Sequence, residues 1–119
     1  MSKSVLIVED DPSVRMIAEE MFIASGFEVK STDRAERAVD VIAQSPKETA
    51  FLFTDVQTPG SIDGVELARV VKRRWPHIQV LVTSAYEVPK ERLPDGVRFA
   101  PKPWSSKNVL GWARSALSS

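Results

Sequence analysis

The sequence predicts an α/β fold: one doubly wound, five-stranded parallel sheet with helices on both faces. Three observations carry this. Short runs rich in β-branched residues recur down the chain, and most are apolar throughout rather than alternating, the mark of strands covered on both sides. Stretches with apolar residues three and four apart lie between them, which is helical spacing. Strand and helix alternate five times, and strict alternation implies parallel strands joined by right-handed crossovers. The 119 residues suit a single domain, residues 1–119. Folding at this size buries about 65% of the unfolded chain's surface, enough for a real core. No internal repeat, low-complexity tract or linker divides the chain.

Val5-Leu6-Ile7-Val8 is the first strand, apolar throughout and flanked by polar residues. Asp11-Pro12 then opens a helix, because Asp is a strong N-cap and Pro suits the first helical position. Val14, Ile17, Ala18, Met21 and Phe22 stripe that helix, and Gly26 stops it. Phe27 to Ser31 alternates apolar and polar, so the second strand is less buried. Asp33 with Glu36 resembles a capping box for a helix striped by Ala35, Ala38, Val39 and Ile42. Ser45-Pro46 ends it. Ala50 to Asp55 is the third strand, followed by a turn-rich loop with Pro59 and Gly60. Asp63-Gly64 precedes a helix carrying Val65, Ala68 and Val71, closed by Trp75-Pro76. Ile78 to Ser84 is the fourth strand. Tyr86 to Gly96 contains Pro89, Pro94 and Gly96, so it holds at most two turns of helix. Val97 to Ala100 is a short fifth strand. Ser105 or Ser106 caps a last helix with Val109, Leu110, Ala113 and Leu117 on one face.

Composition narrows the function. Apolar residues are 43% and charged residues 27%, as in a globular domain. Sixteen Lys+Arg balance sixteen Asp+Glu, which argues against a nucleic-acid binder or a polybasic membrane binder. Lys72-Arg73-Arg74 reads as a solvated helix terminus that complements the helix dipole. Cys is absent, which excludes disulfides, thiolate metal sites and Cys nucleophiles; His77 is the sole histidine, which excludes a His-rich zinc site. The longest apolar runs, four or five residues, cannot span a bilayer. A cytoplasmic protein is the expectation.

In open α/β sheets ligands bind beyond the carboxyl ends of the strands. Those positions hold Glu9, Asp10 and Asp11 after the first strand, Asp55 after the third, Thr83 and Ser84 after the fourth, and Lys102 after the fifth. The second strand ends in nothing distinctive. Crowded carboxylates raise one another's proton affinity unless a cation intervenes. Mg²⁺ takes oxygen ligands and commonly uses one or two carboxylates plus a phosphate. A carboxylate can attack phosphorus, and a metal and a Lys then stabilise the transferring group. GxxxxGK[ST] and GxGxxG are both absent, so the donor is a small phosphoanhydride or a phosphorylated protein rather than bound ATP. Simpler readings exist. Asp55 could be a turn residue, Asp11 is the helix cap, Glu9 and Asp10 could be solvated, Ser84 could satisfy backbone, and Lys102 could be a surface lysine. The convergence of all of them on one rim favours phosphoryl transfer onto Asp55.

Five segments in order resemble a response-regulator receiver domain: Val5 to Pro12, Phe53-Thr54-Asp55, Pro59 to Gly64, Val80 to Tyr86, and Lys102-Pro103. The resemblance implies a flavodoxin-like (βα)5 fold and a stand-alone phosphoacceptor in two-component signalling. By it, Asp55 matches the phosphorylated aspartate. Glu9 and Asp10 match the acidic pair that holds Mg²⁺, Asp10 foremost as direct ligand, and the backbone carbonyl of Gln57 matches the third protein oxygen. Ser84 matches the hydroxyl that turns toward the phosphoryl group, and Lys102 the lysine that pairs with it, before a bond to Pro103 that is often cis. Phe99 matches the aromatic switch position. The implied partners are a histidine kinase or histidine phosphotransfer protein and a downstream protein target, with no nucleic acid and no membrane. The implied catalysis is confined to the domain's own phosphorylation and dephosphorylation.

Some features depart from the family pattern. The Pro59–Gly64 loop is one residue longer, and Thr58 stands where a hydrophobic residue is common. The Ser84–Lys102 segment is short by about one helical turn, which shortens the fourth helix and predicts a monomer or weak dimer. Gln57 and Tyr86 flank the phosphorylation site at positions that influence phosphoryl lifetime in the family. Two further functions compete: a degenerate receiver that binds a partner without phosphorylation, and an Mg²⁺-dependent phosphatase working through an aspartyl-phosphate. The phosphatase needs an acid two residues after the nucleophile, where this chain has Gln57.

Overall fold

The computed structural model describes residues 3–118. Five strands, β1 (Ser4–Val8), β2 (Glu28–Thr32), β3 (Thr49–Asp55), β4 (Gln79–Ser84) and β5 (Arg98–Pro101), form one parallel sheet in the order β2-β1-β3-β4-β5. The helices are α1 (Pro12–Ala24), α2 (Ala35–Gln44), α3 (Gly64–Arg74) and α4 (Ser106–Ser118). This is the expected doubly wound architecture. From β1 the chain moves outward to β2, then crosses back to lay β3 on the other flank of β1. Strand order therefore reverses between β1 and β3, and a crevice opens beyond their carboxyl ends.

Residue alternation divides the core. Val5 and Ile7 of β1, with Phe51, Phe53 and Leu81, face α1 and α4. Leu6 and Val8, with Leu52, Val80 and Val82, face α2 and α3. Phe22 is the hub of the first layer, its ring centroid 5.6 Å from Phe27, 6.3 Å from Phe51 and 5.8 Å from Phe53. Truncating a buried ring of this kind costs about 3–5 kcal/mol.

Local signals set most boundaries. The Asp11 carboxylate accepts from the amides of Ser13 (2.8 Å) and Val14 (3.3 Å), so it is the N-cap of α1. Ser105 Oγ accepts from Asn108 N at 3.2 Å, which settles the choice of cap for α4. Lys72, Arg73 and Arg74 sit in the last turn of α3. The second strand starts one residue later than expected, because Phe27 turns into the core beside Phe22.

Two expectations are corrected, and one departure from the family pattern is borne out. Asp33 and Glu36 form no capping box: Arg34 is the N-cap of α2 and makes no side-chain cap bond, while Asp33 pairs with Arg37 at 3.3 Å. Glu36 instead reaches across to the β3–α3 loop, accepting from Ile62 N (3.1 Å) and Ser61 Oγ (3.4 Å). The capping box lies at α3, where Asp63 and Glu66 exchange 2.9 Å bonds with each other's amides. Ile17, expected on the buried stripe of α1, is 60% exposed; Ala18 and Phe22 alone are fully buried on that helix. The shortened fourth helix is a single 3-10 turn, Lys90–Arg92. Pro89 and Pro94 bracket it and leave no room for an α-helical hydrogen-bond ladder.

Gly64 marks where β3 and α3 come together. A Cβ there would collide with the Asp55 carbonyl oxygen and lie 2.8 Å from its carbon and 2.9 Å from Val56 Cα. Gly111, exposed in the middle of α4, has open space around it. Gly64→Ala is therefore expected to destabilise by about 1–3 kcal/mol or more through overpacking. Gly111→Ala is expected to stabilise by about 0.5–1 kcal/mol through helix propensity. Urea denaturation of both variants checks the pair; equal effects would contradict the close approach.

Candidate functional site

The crevice beyond β1 and β3 is lined with carboxylates. The chain leaves β1 through Glu9, whose amide donates to Thr32 O at 3.1 Å and whose carbonyl accepts from Arg15 Nη1 at 2.9 Å. These bonds turn the Glu9 side chain inward, where it is 5% exposed. Asp10, next along, is exposed. Asp55 closes β3 and is 4% exposed. One carboxylate oxygen from each of Glu9, Asp10 and Asp55 lies within 4.8 Å of the others.

Lys102 answers this charge. The bond to Pro103 is cis. The Lys102 amide donates to Ser84 O at 2.9 Å, which holds the residue at the sheet's rim beside β4. Its ammonium donates to Asp55 Oδ2 at 2.7 Å and to Glu9 Oε1 at 3.2 Å. The two other oxygens of these acids accept from backbone, Asp55 Oδ1 from Gln57 N (3.2 Å) and Glu9 Oε2 from Asp11 N (3.1 Å). Burial raises the Glu9 pKa above its ordinary value, and the nearby Asp55 charge adds to this, while the Asp11 amide and Lys102 oppose it. Burial would lower the Lys102 pKa, but the bond and charge of Asp55, then those of Glu9, outweigh it and hold it up.

The sequence-derived residues divide by position. Glu9, Asp10, Asp55 and Lys102 converge on one point. Asp11 is taken up as the helix cap, as expected. The Ser84 hydroxyl, on a residue 1% exposed at the end of β4, bonds neither the Asp55 carboxylate nor the Lys102 ammonium: it donates to Gln57 Oε1 (3.2 Å) and accepts from Tyr86 N (3.0 Å). Thr83 beside it is buried, and its hydroxyl has no hydrogen-bond partner. Phe99 is half-buried beneath the β4–β5 connection, packed with Val88, Leu93 and Val97 against the α2/α3 side of the core. Arg15 and Glu36 were not foreseen. Arg15 braces the Glu9 backbone and Glu36 braces the loop after Asp55, the latter across 26 residues of sequence that carry no periodic signal.

A profile of the response regulator receiver domain matches residues 5–100. The chain belongs to the response-regulator receiver family. Among its relatives, response regulator protein FleR of Pseudomonas aeruginosa is 35% identical over 98% of this receiver. Sensor kinase CckA of Brucella abortus is 29% identical over 98%, and sporulation initiation phosphotransferase F of Bacillus subtilis 27% over 72%. The receiver spans only 25% of FleR and 13% of CckA, but 67% of the sporulation protein. A solved receiver domain from hybrid histidine kinase CckA superposes with a TM-score of 0.80 at 30% identity, covering 96% of this chain and 98% of that one. A receiver protein from Sinorhizobium medicae reaches a TM-score of 0.88 at 17% identity, with 99% and 96% covered, a likeness of fold alone. No described helix of the receiver is long and apolar enough to cross a membrane.

The raised Glu9 pKa sets a pH dependence. The folded state binds this proton more tightly than the unfolded state, so folding is favoured as pH falls from neutral toward 4.5, the ordinary value. Without divalent ions, acidification over that window is expected to stabilise the receiver relative to Glu9→Gln. Denaturation curves of both proteins at stepped pH test it; a constant difference between them would overturn the assignment of burial to Glu9.

Proposed function

We propose that this receiver accepts a phosphoryl group on Asp55 from a histidine kinase or histidine phosphotransfer protein and signals through protein contacts. The observation that carries the reading is the Lys102 ammonium bonded to both Asp55 and Glu9 inside a cluster of three acids. The donor set is all oxygen and doubly crowded, which fits a hard dication: a buried Glu9 whose ionised form is disfavoured gains most from added positive charge. Glu9, Asp10, Asp55 and the backbone carbonyl of Gln57 would hold Mg²⁺. When bound, the ion neutralises charge on the acids and on the phosphoryl oxygens.

The remaining chemistry belongs to the chain's own residues. Bonds from Gln57 N and Lys102 fix the plane of the Asp55 carboxylate, one to each oxygen. A carboxylate oxygen attacks phosphorus as the P–N bond of the donor's phosphohistidine breaks, and the electron pair returns to the imidazole. Lys102 then pairs with a phosphoryl oxygen, and Ser84 turns to donate to another. Phe99 is free to follow because its surroundings are a short 3-10 turn rather than a full helix. Water later hydrolyses the acyl phosphate, regenerating Asp55 and releasing inorganic phosphate. Gln57 carries no ionisable proton where an aspartyl-phosphate phosphatase needs an acid. That supports self-limited turnover rather than an enzyme acting on outside substrates.

Incubation with acetyl phosphate and Mg²⁺ is expected to add one phosphoryl group by intact mass, and Asp55→Asn to remove the addition. Undiminished labelling of that variant would overturn the site. Mg²⁺ at about 100 times its Kd is expected to stabilise the fold by about 2.7 kcal/mol. Asp10→Asn shifts this dependence to higher Mg²⁺. Thermal unfolding in a millimolar Mg²⁺ series reads it, and the absence of any shift in the wild type would favour a receiver that works without phosphorylation.

A further inference from the structure

We propose that Gln57 is a positioning residue for the switch. Its side-chain carbonyl holds the Ser84 hydroxyl proton while Asp55 is unphosphorylated, and so sets how readily Ser84 turns toward a phosphoryl group. This rests on the phosphoacceptor reading of Asp55.

Ser84 has one proton to give. Its oxygen accepts from Tyr86 N at 3.0 Å, and its proton goes to Gln57 Oε1 at 3.2 Å. At 1% exposure Ser84 has no access to bulk water as an alternative acceptor. The hydroxyl therefore leaves Gln57 only when a better acceptor arrives. Gln57 is itself exposed, so its amide is rehydrated at little cost after release. The same residue's main-chain amide donates to Asp55 Oδ1 at 3.2 Å. One residue thus touches the acceptor carboxylate through its backbone and the switch hydroxyl through its side chain.

The strengths fit a latch. An O–H···O contact of 3.2 Å is longer than the usual value of about 2.7–2.8 Å, so the restraining bond is weak. A phosphoryl oxygen is a charged acceptor, and charge-assisted bonds are about twice as strong as neutral ones. The exchange of Gln57 for phosphoryl is therefore favourable only once phosphorus is on Asp55. Before that, the amide keeps the two-state element in its resting arrangement.

The test uses Gln57→Met, which keeps side-chain length without the acceptor, at an exposed position that the core does not depend on. The Tyr86 amide resonance reports Ser84 directly, since that N–H donates to Ser84 Oγ. In the unliganded, metal-free variant it is expected to move toward its position in wild-type protein saturated with Mg²⁺ and fluoroberyllate. Fluoroberyllate affinity is expected to rise about two- to tenfold, the value of one net hydrogen bond. In a Ser84→Ala background, Gln57→Met is expected to leave that affinity unchanged. A Tyr86 resonance identical to wild type, or an affinity gain that survives in Ser84→Ala, overturns the latch alone. Wild-type protein that binds no fluoroberyllate overturns the phosphoacceptor reading and this proposal with it.

Discussion

One ammonium between two buried carboxylates organises this receiver. Glu9 and Asp55 end neighbouring strands and are nearly sealed from water, an arrangement that costs several kcal/mol per ion unless compensated. Lys102 compensates both at once, and the backbone amides of Asp11 and Gln57 satisfy the oxygens it does not reach. The remaining excess of negative charge, with Asp10 at the open side, makes the pocket receptive to a small dication.

The fold supplies the crowding. Reversal of strand order between β1 and β3 puts the two acid-bearing strand ends side by side, and β5 reaches the same rim from beyond β4. The close approach at Gly64 brings the start of α3 against the Asp55 carbonyl. Glu36 then ties down the longer loop that follows Asp55, with Gly60 at φ +107° leaving room for its carboxylate. The Asp55 end of β3 is thus braced from both flanking helices on its face of the sheet.

The β4–β5 connection follows a different logic. Its prolines limit it to one 3-10 turn, so the sheet there is covered by a few apolar side chains around Phe99 instead of a helix. Without an α-helical hydrogen-bond ladder, such a segment is easier to rearrange than a full helix. Ser84 lies at its entrance, and Lys102 follows at the far end of β5. The end of β4 thus joins the Asp55 rim directly to a segment that lacks an α-helical hydrogen-bond ladder.

The sequence by itself determined the architecture and which acids and which lysine meet at the rim. Apolar runs and helical stripes depend on neighbours within a few residues, as do the Asp11 cap and the acids that follow β1. Their physics is local, so it is legible along the chain. The false capping box at Asp33 marks the limit: the spacing was right, but Glu36 found stronger demand in a loop distant in sequence. Tertiary structure alone decided that Lys102 bridges Glu9 and Asp55, that Gln57 holds Ser84, and that Ile17 faces solvent. The bonds among them join residues tens of positions apart, and such pairings are fixed by which strand ends the crossovers bring together rather than by anything in the neighbouring residues.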